Sequence, residues 1–75
     1  MQKLKFTVRS IELEGSCHDL TPIHPDLESA TYAANVYADQ IKGLPVHRIG
    51  RVVVIDQDGK ERFERDLIFE RLEKL

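Results

Sequence analysis

The stretch DLESATYAANVYADQIKG, residues 26–43, has the pattern of one amphipathic α-helix. Apolar residues recur in it at intervals of three or four, which places on a single stripe Leu27, Ala30, Ala34, Tyr37 and Ile41. Asp26 suits the N-cap, and Gly43 is predicted to adopt the left-handed conformation that often ends a helix. We therefore expect this helix to organise the fold by packing its stripe on a β-sheet.

The segments on either side of the helix contain three predicted strands. Residues 4–8 alternate Leu, Phe and Val with polar residues, which is typical of a half-buried strand. Residues 52–55 read VVVI, which predicts a central strand that is apolar on both faces. The DQDG sequence of residues 56–59 then predicts a hairpin turn into a returning strand over residues 60–65.

Two further segments complete the predicted order of elements. Pro22 and Pro25 indicate a connecting loop over residues 16–25, and residues 66–75 fit either a short helix capped by Asp66 or a longer last strand. The predicted fold class is α+β: a small antiparallel sheet with one amphipathic helix packed on it, in the order β-α-β-β, with the C-terminal helix left open. A chain of 75 residues supports one core, so residues 1–75 are expected to form a single domain.

Charge is unevenly distributed along the chain. Residues 1–9 carry a net charge of +3, residues 10–45 carry six acidic side chains against Lys42, and residues 46–75 are balanced. This pattern lacks the clustered basic surface that nucleic acids require, so no nucleic-acid partner is expected. No apolar run reaches the length of a membrane span, and a single cysteine suits a reducing compartment, so a cytoplasmic location is expected.

The side chains that could serve in catalysis or as metal ligands are those of Cys17, His18 and His24. Adjacent residues in an extended segment point apart, and no paired motif of zinc ligands accompanies them. We therefore predict no catalytic residues, no metal site and no cofactor. A minimal enzyme or ligand-binding protein that uses these three side chains remains the alternative hypothesis.

A different signal lies on the side of the helix opposite the apolar stripe. Tyr32 and Val36 are four residues apart there and should be exposed in a monomer, although isolated exposed apolar residues are common on soluble proteins. The strand at residues 52–55 needs a cover on each face, so Val52 and Val54 are also predicted to be available to a partner. The predicted interface residues are therefore Tyr32, Val36, Val52 and Val54.

Two quoted stretches resemble a family of short, uncharacterised bacterial proteins. The first is PDLESA at residues 25–30, and the second is VVVIDQDG at residues 52–59. With the helix between them they cover about half of the chain. The resemblance implies a β-α-β-β layout and brings no catalytic residues with it.

These observations favour a small protein-interaction module that associates with itself, most simply as a homodimer. An alternative is an inhibitor encoded by a phage or mobile element that binds a larger host complex, such as a CRISPR-Cas or other nuclease assembly. Both hypotheses require a protein partner and no catalytic activity.

Overall fold

The structure is a computed structural model that describes residues 4–73, with side chains for residues 4–20 and 22–70. Within that range it contains four strands and two helices. Their bounds are β1 Phe6–Glu12, β2 Cys17–His24, α1 Leu27–Lys42, β3 Ile49–Ile55, β4 Glu61–Asp66 and α2 Leu67–Glu73. The strands form one antiparallel sheet in the order β2-β1-β3-β4. The predicted α+β class, with one helix packed on an antiparallel sheet, is confirmed.

The prediction that residues 16–25 form a loop is wrong, because most of this segment forms β2. The observed order is β-β-α-β-β-α instead of β-α-β-β. β2 is an edge strand, and it has two extra residues between Leu20 and His24 relative to β1, a bulge that contains Pro22. Proline is tolerated at such positions because no neighbouring strand needs its missing N–H.

Helix α1 begins and ends close to where the sequence predicts. The Asp26 carboxylate accepts the backbone N–H of Ser29 at 2.7 Å, as expected for an N-cap. Gly43 follows the last turn, but its φ of −76° is right-handed, so the predicted left-handed conformation is wrong. The helix instead ends with its Gly43 N–H bonded to the Asp39 carbonyl, ahead of Pro45.

The core lies between α1 and one face of the sheet. Ala30, Ala34 and Ala38 are fully buried there, and their small side chains let the helix axis approach the strands closely. The sheet contributes Phe6 and Val8 from β1 and Val52 and Val54 from β3, and α2 adds Leu67. The core is thus a layer of alanines on a layer of larger apolar side chains.

The opposite face of the sheet is covered by charged side chains. Val53 faces away from α1 and is nevertheless fully buried. Its cross-strand neighbours are Arg9 on β1 and Glu64 on β4, and Arg51 precedes it by two residues on β3. Arg9 pairs with Asp19 at 2.5 Å, and Arg51 pairs with Glu64. The long apolar stems of these arginines therefore act as the second cover that the central strand needs.

The β3–β4 hairpin and the start of α2 agree with their sequence signals. In the β3–β4 hairpin the Asp56 carboxylate accepts the N–H groups of Asp58 and Lys60, and Gly59 has a φ of +82°. Asp66 caps α2 by accepting the N–H of Phe69 at 3.0 Å, so the helical alternative for this segment is confirmed. The spacing of Glu70 and Lys74, four residues apart, predicts an ion pair along this helix, but Lys74 lies outside the described residues.

Two glycines should respond oppositely to alanine. Gly59→Ala should lower the free energy of unfolding by about 1 kcal/mol, because its left-handed backbone disfavours a Cβ. Gly43→Ala should raise it by about 0.5 kcal/mol, because its backbone is right-handed and the nearest atoms to an added Cβ lie at 3.6 Å. Urea unfolding of both variants measures the difference. Equal losses for the two would contradict the right-handed helix end.

Candidate interaction surface

The exposed side of α1 carries Tyr32 and Val36. Tyr32 is 73% exposed and Val36 is 40% exposed, on the side of the helix opposite the buried alanines. The predicted exposure of both side chains is confirmed, whereas their contact with a partner stays a prediction. The two lie one helical turn apart, so their side chains are neighbours on one face. We call this pair the Tyr32–Val36 patch.

The other two predicted interface residues lie in the core. Val52 and Val54 are fully buried beneath α1, so the exposed surface predicted for them is absent. The prediction fails because the helix covers one face of β3 while charged side chains, Arg51 among them, cover the other. Neither valine can contact a partner without displacement of α1.

A groove runs between α1 and β2 beside the Tyr32–Val36 patch. Its inner part has a volume of about 320 Å³ and is lined by Val8, Leu20, Pro22, His24, Ala33 and Tyr37. A wider hollow at the start of α1, of about 730 Å³, shares His24 and Ala33 with it and also includes Asp26, Glu28 and Tyr32. The two hollows lie side by side with these two residues in common, and we call them together the α1–β2 groove.

One end of the α1–β2 groove is lined by acidic side chains. Asp26 accepts the Ser29 N–H, and this hydrogen bond holds the pKa of its carboxyl below the usual value, so it is ionised near neutral pH. Glu28, in the first turn of α1, is exposed beside it. Among the described side chains that line the groove, none is lysine or arginine. The groove thus combines an apolar interior with a negatively charged mouth.

The candidate chemical residues do not converge. Cys17 begins β2 and His24 ends it, roughly 20 Å apart along an extended strand. His18 is adjacent to Cys17 but points to the opposite face, toward Glu12, at 3.6 Å from its carboxylate. Among the described side chains, those of residues 4–20 and 22–70, no three histidine, cysteine or acidic groups are placed to share a metal ion. The structure therefore brings together no pair from Cys17, His18 and His24.

Sequence reasoning missed the most extensive polar cluster, which is centred on Arg65 of β4. Arg65 makes two hydrogen bonds to Glu70 of α2, at 2.8 and 2.6 Å. It also bonds to Asn35 at 3.0 Å and to Asp39 at 3.2 Å, both on α1. One guanidinium therefore connects a strand and both helices. We call these four residues, with Lys42, the Arg65 cluster.

The charges of the Arg65 cluster are mutually stabilising. The bidentate contact with Glu70 raises the pKa of Arg65 and lowers the pKa of the Glu70 carboxyl, which Lys42 also contacts at 3.3 Å. The Arg65 side chain is only 18% exposed, so the contacts are partly shielded from water. A signal was present in the sequence: Arg65 follows Phe63 by two residues and so shares its face of β4.

Comparison with known proteins adds no relative. No family model matches the chain, and no curated protein and no solved structure matches it. The resemblance to short bacterial proteins therefore stays a prediction. Neither helix within residues 4–73 has the length and apolar character needed to cross a membrane.

Proposed function

We propose that this chain is a small protein-interaction module that associates with itself through the Tyr32–Val36 patch. The observation that carries the proposal is the 73% exposure of Tyr32 beside an exposed valine on an ordered helix. Aromatic side chains in such positions are enriched among the residues that dominate binding energy. Under this proposal the chain acts in the cytoplasm by binding a second copy and not as an enzyme.

A symmetric pairing of two α1 helices is compatible with the residues around the patch. Symmetric dimers bring the same surface of each copy together, so residue i of one copy contacts residue j of the other. An antiparallel pair centred between Tyr32 and Val36 places each tyrosine ring on the valine of the other copy. Glu28 then faces Gln40, and this contact brings no like charges together.

Two acidic residues, Glu28 and Asp39, flank the patch, and neither opposes this dimer. Asp39 also lies on the exposed side of α1, but its carboxylate already contacts Arg65 of its own chain. The remaining neighbours, Ser29 and Gln40, are polar and uncharged at the rim. A patch of two apolar side chains with a polar rim is small, so the expected dimer is weak.

Tyr32→Asp should abolish this self-association. The change puts a charge at the centre of the contact, where it would be desolvated against Val36. Sedimentation velocity between about 10 µM and about 1 mM should show the parent chain shifting from 8.6 kDa toward twice that mass, and the variant remaining monomeric.

The matched control is Phe69→Asp, which makes the same kind of change at an exposed aromatic residue on α2. This variant should dimerise like the parent chain. A parent chain that stays monomeric throughout the concentration range would overturn the proposal, and so would a dimer that Tyr32→Asp leaves unchanged. Circular dichroism should show that both variants keep the parent's helical content.

A further inference from the structure

The α1–β2 groove adjoins the Tyr32–Val36 patch and shares Tyr32 with it, but its other lining residues give it a different chemistry. We propose that it binds an extended segment of another protein that carries an aliphatic side chain close to a lysine or arginine. This inference goes beyond self-association, because it concerns a partner other than a second copy. Two features of the groove define that partner: the apolar inner part and the acidic mouth.

The inner part of the groove suits an aliphatic side chain. Leu20, Pro22 and Tyr37 form apolar walls around about 320 Å³, which is enough for one or two side chains of an incoming segment. Its neighbours Val8 and Ala33 belong to the core or pack against it, so the pocket is held by the fold. Burial of an aliphatic side chain there would supply the apolar part of the binding energy.

The mouth of the groove suits a cation. Asp26 and Glu28 are both at the start of α1, and the described lining residues include no lysine or arginine, His24 being the basic side chain beside Asp26. The exposed ring of Tyr32 stands at the same end, where it offers a cation–π contact. A lysine or arginine next to the aliphatic anchor would meet two carboxylates and an aromatic face, whereas an acidic side chain would be repelled.

The position of β2 favours an extended segment. β2 is the edge of the sheet, so the outer side of its backbone is not hydrogen-bonded to another strand within the described residues. Proteins commonly recognise extended peptides beside such edges, where backbone groups and side-chain pockets act together. The bulge at Pro22 limits regular pairing and leaves the side-chain pocket as the main determinant.

The test is a selection from a displayed library of random peptides, panned against the full chain. Enriched peptides should share an aliphatic residue within about three positions of a lysine or arginine. The best of these, made synthetically and labelled, should bind the parent chain in fluorescence polarisation. Glu28→Lys should weaken that binding about tenfold, because it replaces attraction at the mouth with repulsion.

The matched control is Glu14→Lys, an identical charge reversal at an exposed residue in the β1–β2 turn, outside the groove. It should change the peptide affinity by less than about twofold. Amide resonances of His24 and Ala33 should shift on peptide addition, whereas those of α2 should not.

Three outcomes would overturn the groove proposal: no enriched peptide, enriched peptides that are acidic or purely apolar, or equal weakening by the two charge reversals. Sedimentation of the same samples without peptide reports on self-association separately. A monomeric chain that binds the selected peptides would retain the groove and reject the dimer, and a dimer without peptide binding would do the reverse.

Discussion

Replacing Ala34 with leucine should lower the free energy of unfolding by about 3 kcal/mol. Ala34 is fully buried between α1 and the sheet, in the same cluster as Val52 and Val54. Three added carbon atoms have no free volume there, so the helix must move away from the strands or the side chains must leave their preferred rotamers. A domain of this size has roughly 3–5 kcal/mol of stability, so the variant should retain only about 0–2 kcal/mol at 25 °C and unfold at a much lower urea concentration than the parent chain.

The matched control is Gln40→Leu, which adds leucine to the exposed side of the same helix. Leucine and glutamine have similar helix propensities, so this change should lie within about 0.5 kcal/mol of the parent. Urea unfolding followed by circular dichroism measures both variants. A loss below about 1 kcal/mol for Ala34→Leu would show that the alanine layer does not set the distance between helix and sheet.

Arg65→Met should lower the free energy of unfolding by about 2 kcal/mol. Methionine preserves much of the apolar stem but removes every hydrogen bond to Glu70, Asn35 and Asp39. The Glu70 carboxylate would then remain partly buried with only Lys42 as a partner. α2 should lose the most stability, so amide hydrogen exchange in α2 should accelerate more than exchange in β1.

The control for this change is Arg62→Met, which removes an ion pair between a 47% exposed arginine and Asp56 at 3.4 Å. The Asp56 carboxylate keeps its hydrogen bonds from the Asp58 and Lys60 N–H groups, so the loss should stay below about 0.5 kcal/mol. Losses of similar size for Arg62→Met and Arg65→Met would contradict the special role of the Arg65 cluster.

The Arg65 cluster also predicts a pH dependence. Arg65 lowers the pKa of Glu70 below its ordinary 4.5, so the carboxylate binds its proton more weakly in the folded state than in the unfolded state. Its contribution to stability is therefore fully present above the unfolded pKa and is lost as the pH falls through the folded pKa. Arg65→Met should flatten the acid side of the stability profile, whereas Arg62→Met should leave the part that is due to Glu70 in place.

Local signals in the sequence predict α1 and the β3–β4 hairpin, and they offer α2 as one of two alternatives. Asp26, the spacing of the alanines, and Asp66 each act within a few residues of the structure they determine. Pro22 indicates a local break when the sequence is considered alone, and β2 is not predicted, because the compatibility of Pro22 with a strand depends on a bulge at the sheet edge. The decisive partner of β2 is β1, and pairing is not visible in the composition of one strand.

The candidate surfaces also differ in how far the sequence predicts them. Exposure of Tyr32 follows from its position on α1 opposite Ala30 and Ala34, so the helical period predicts it. The VVVI run predicts that both faces of the strand need a cover, but it does not show that arginines on β1 and β3 supply the cover over Val53. The α1–β2 groove likewise depends on the placement of β2, and so it could not be predicted while residues 16–25 were assigned to a loop.

The most direct test of the proposed self-association is an isotope-filtered nuclear Overhauser measurement on a mixture of labelled and unlabelled chains. At millimolar concentration the Tyr32 ring protons of one copy should show contacts to the Val36 methyl groups of the other, since the two-fold arrangement stacks these side chains. No such contact is expected in a Tyr32→Asp sample. A parent sample that shows intermolecular contacts only at other residues, or none at all, would contradict the account.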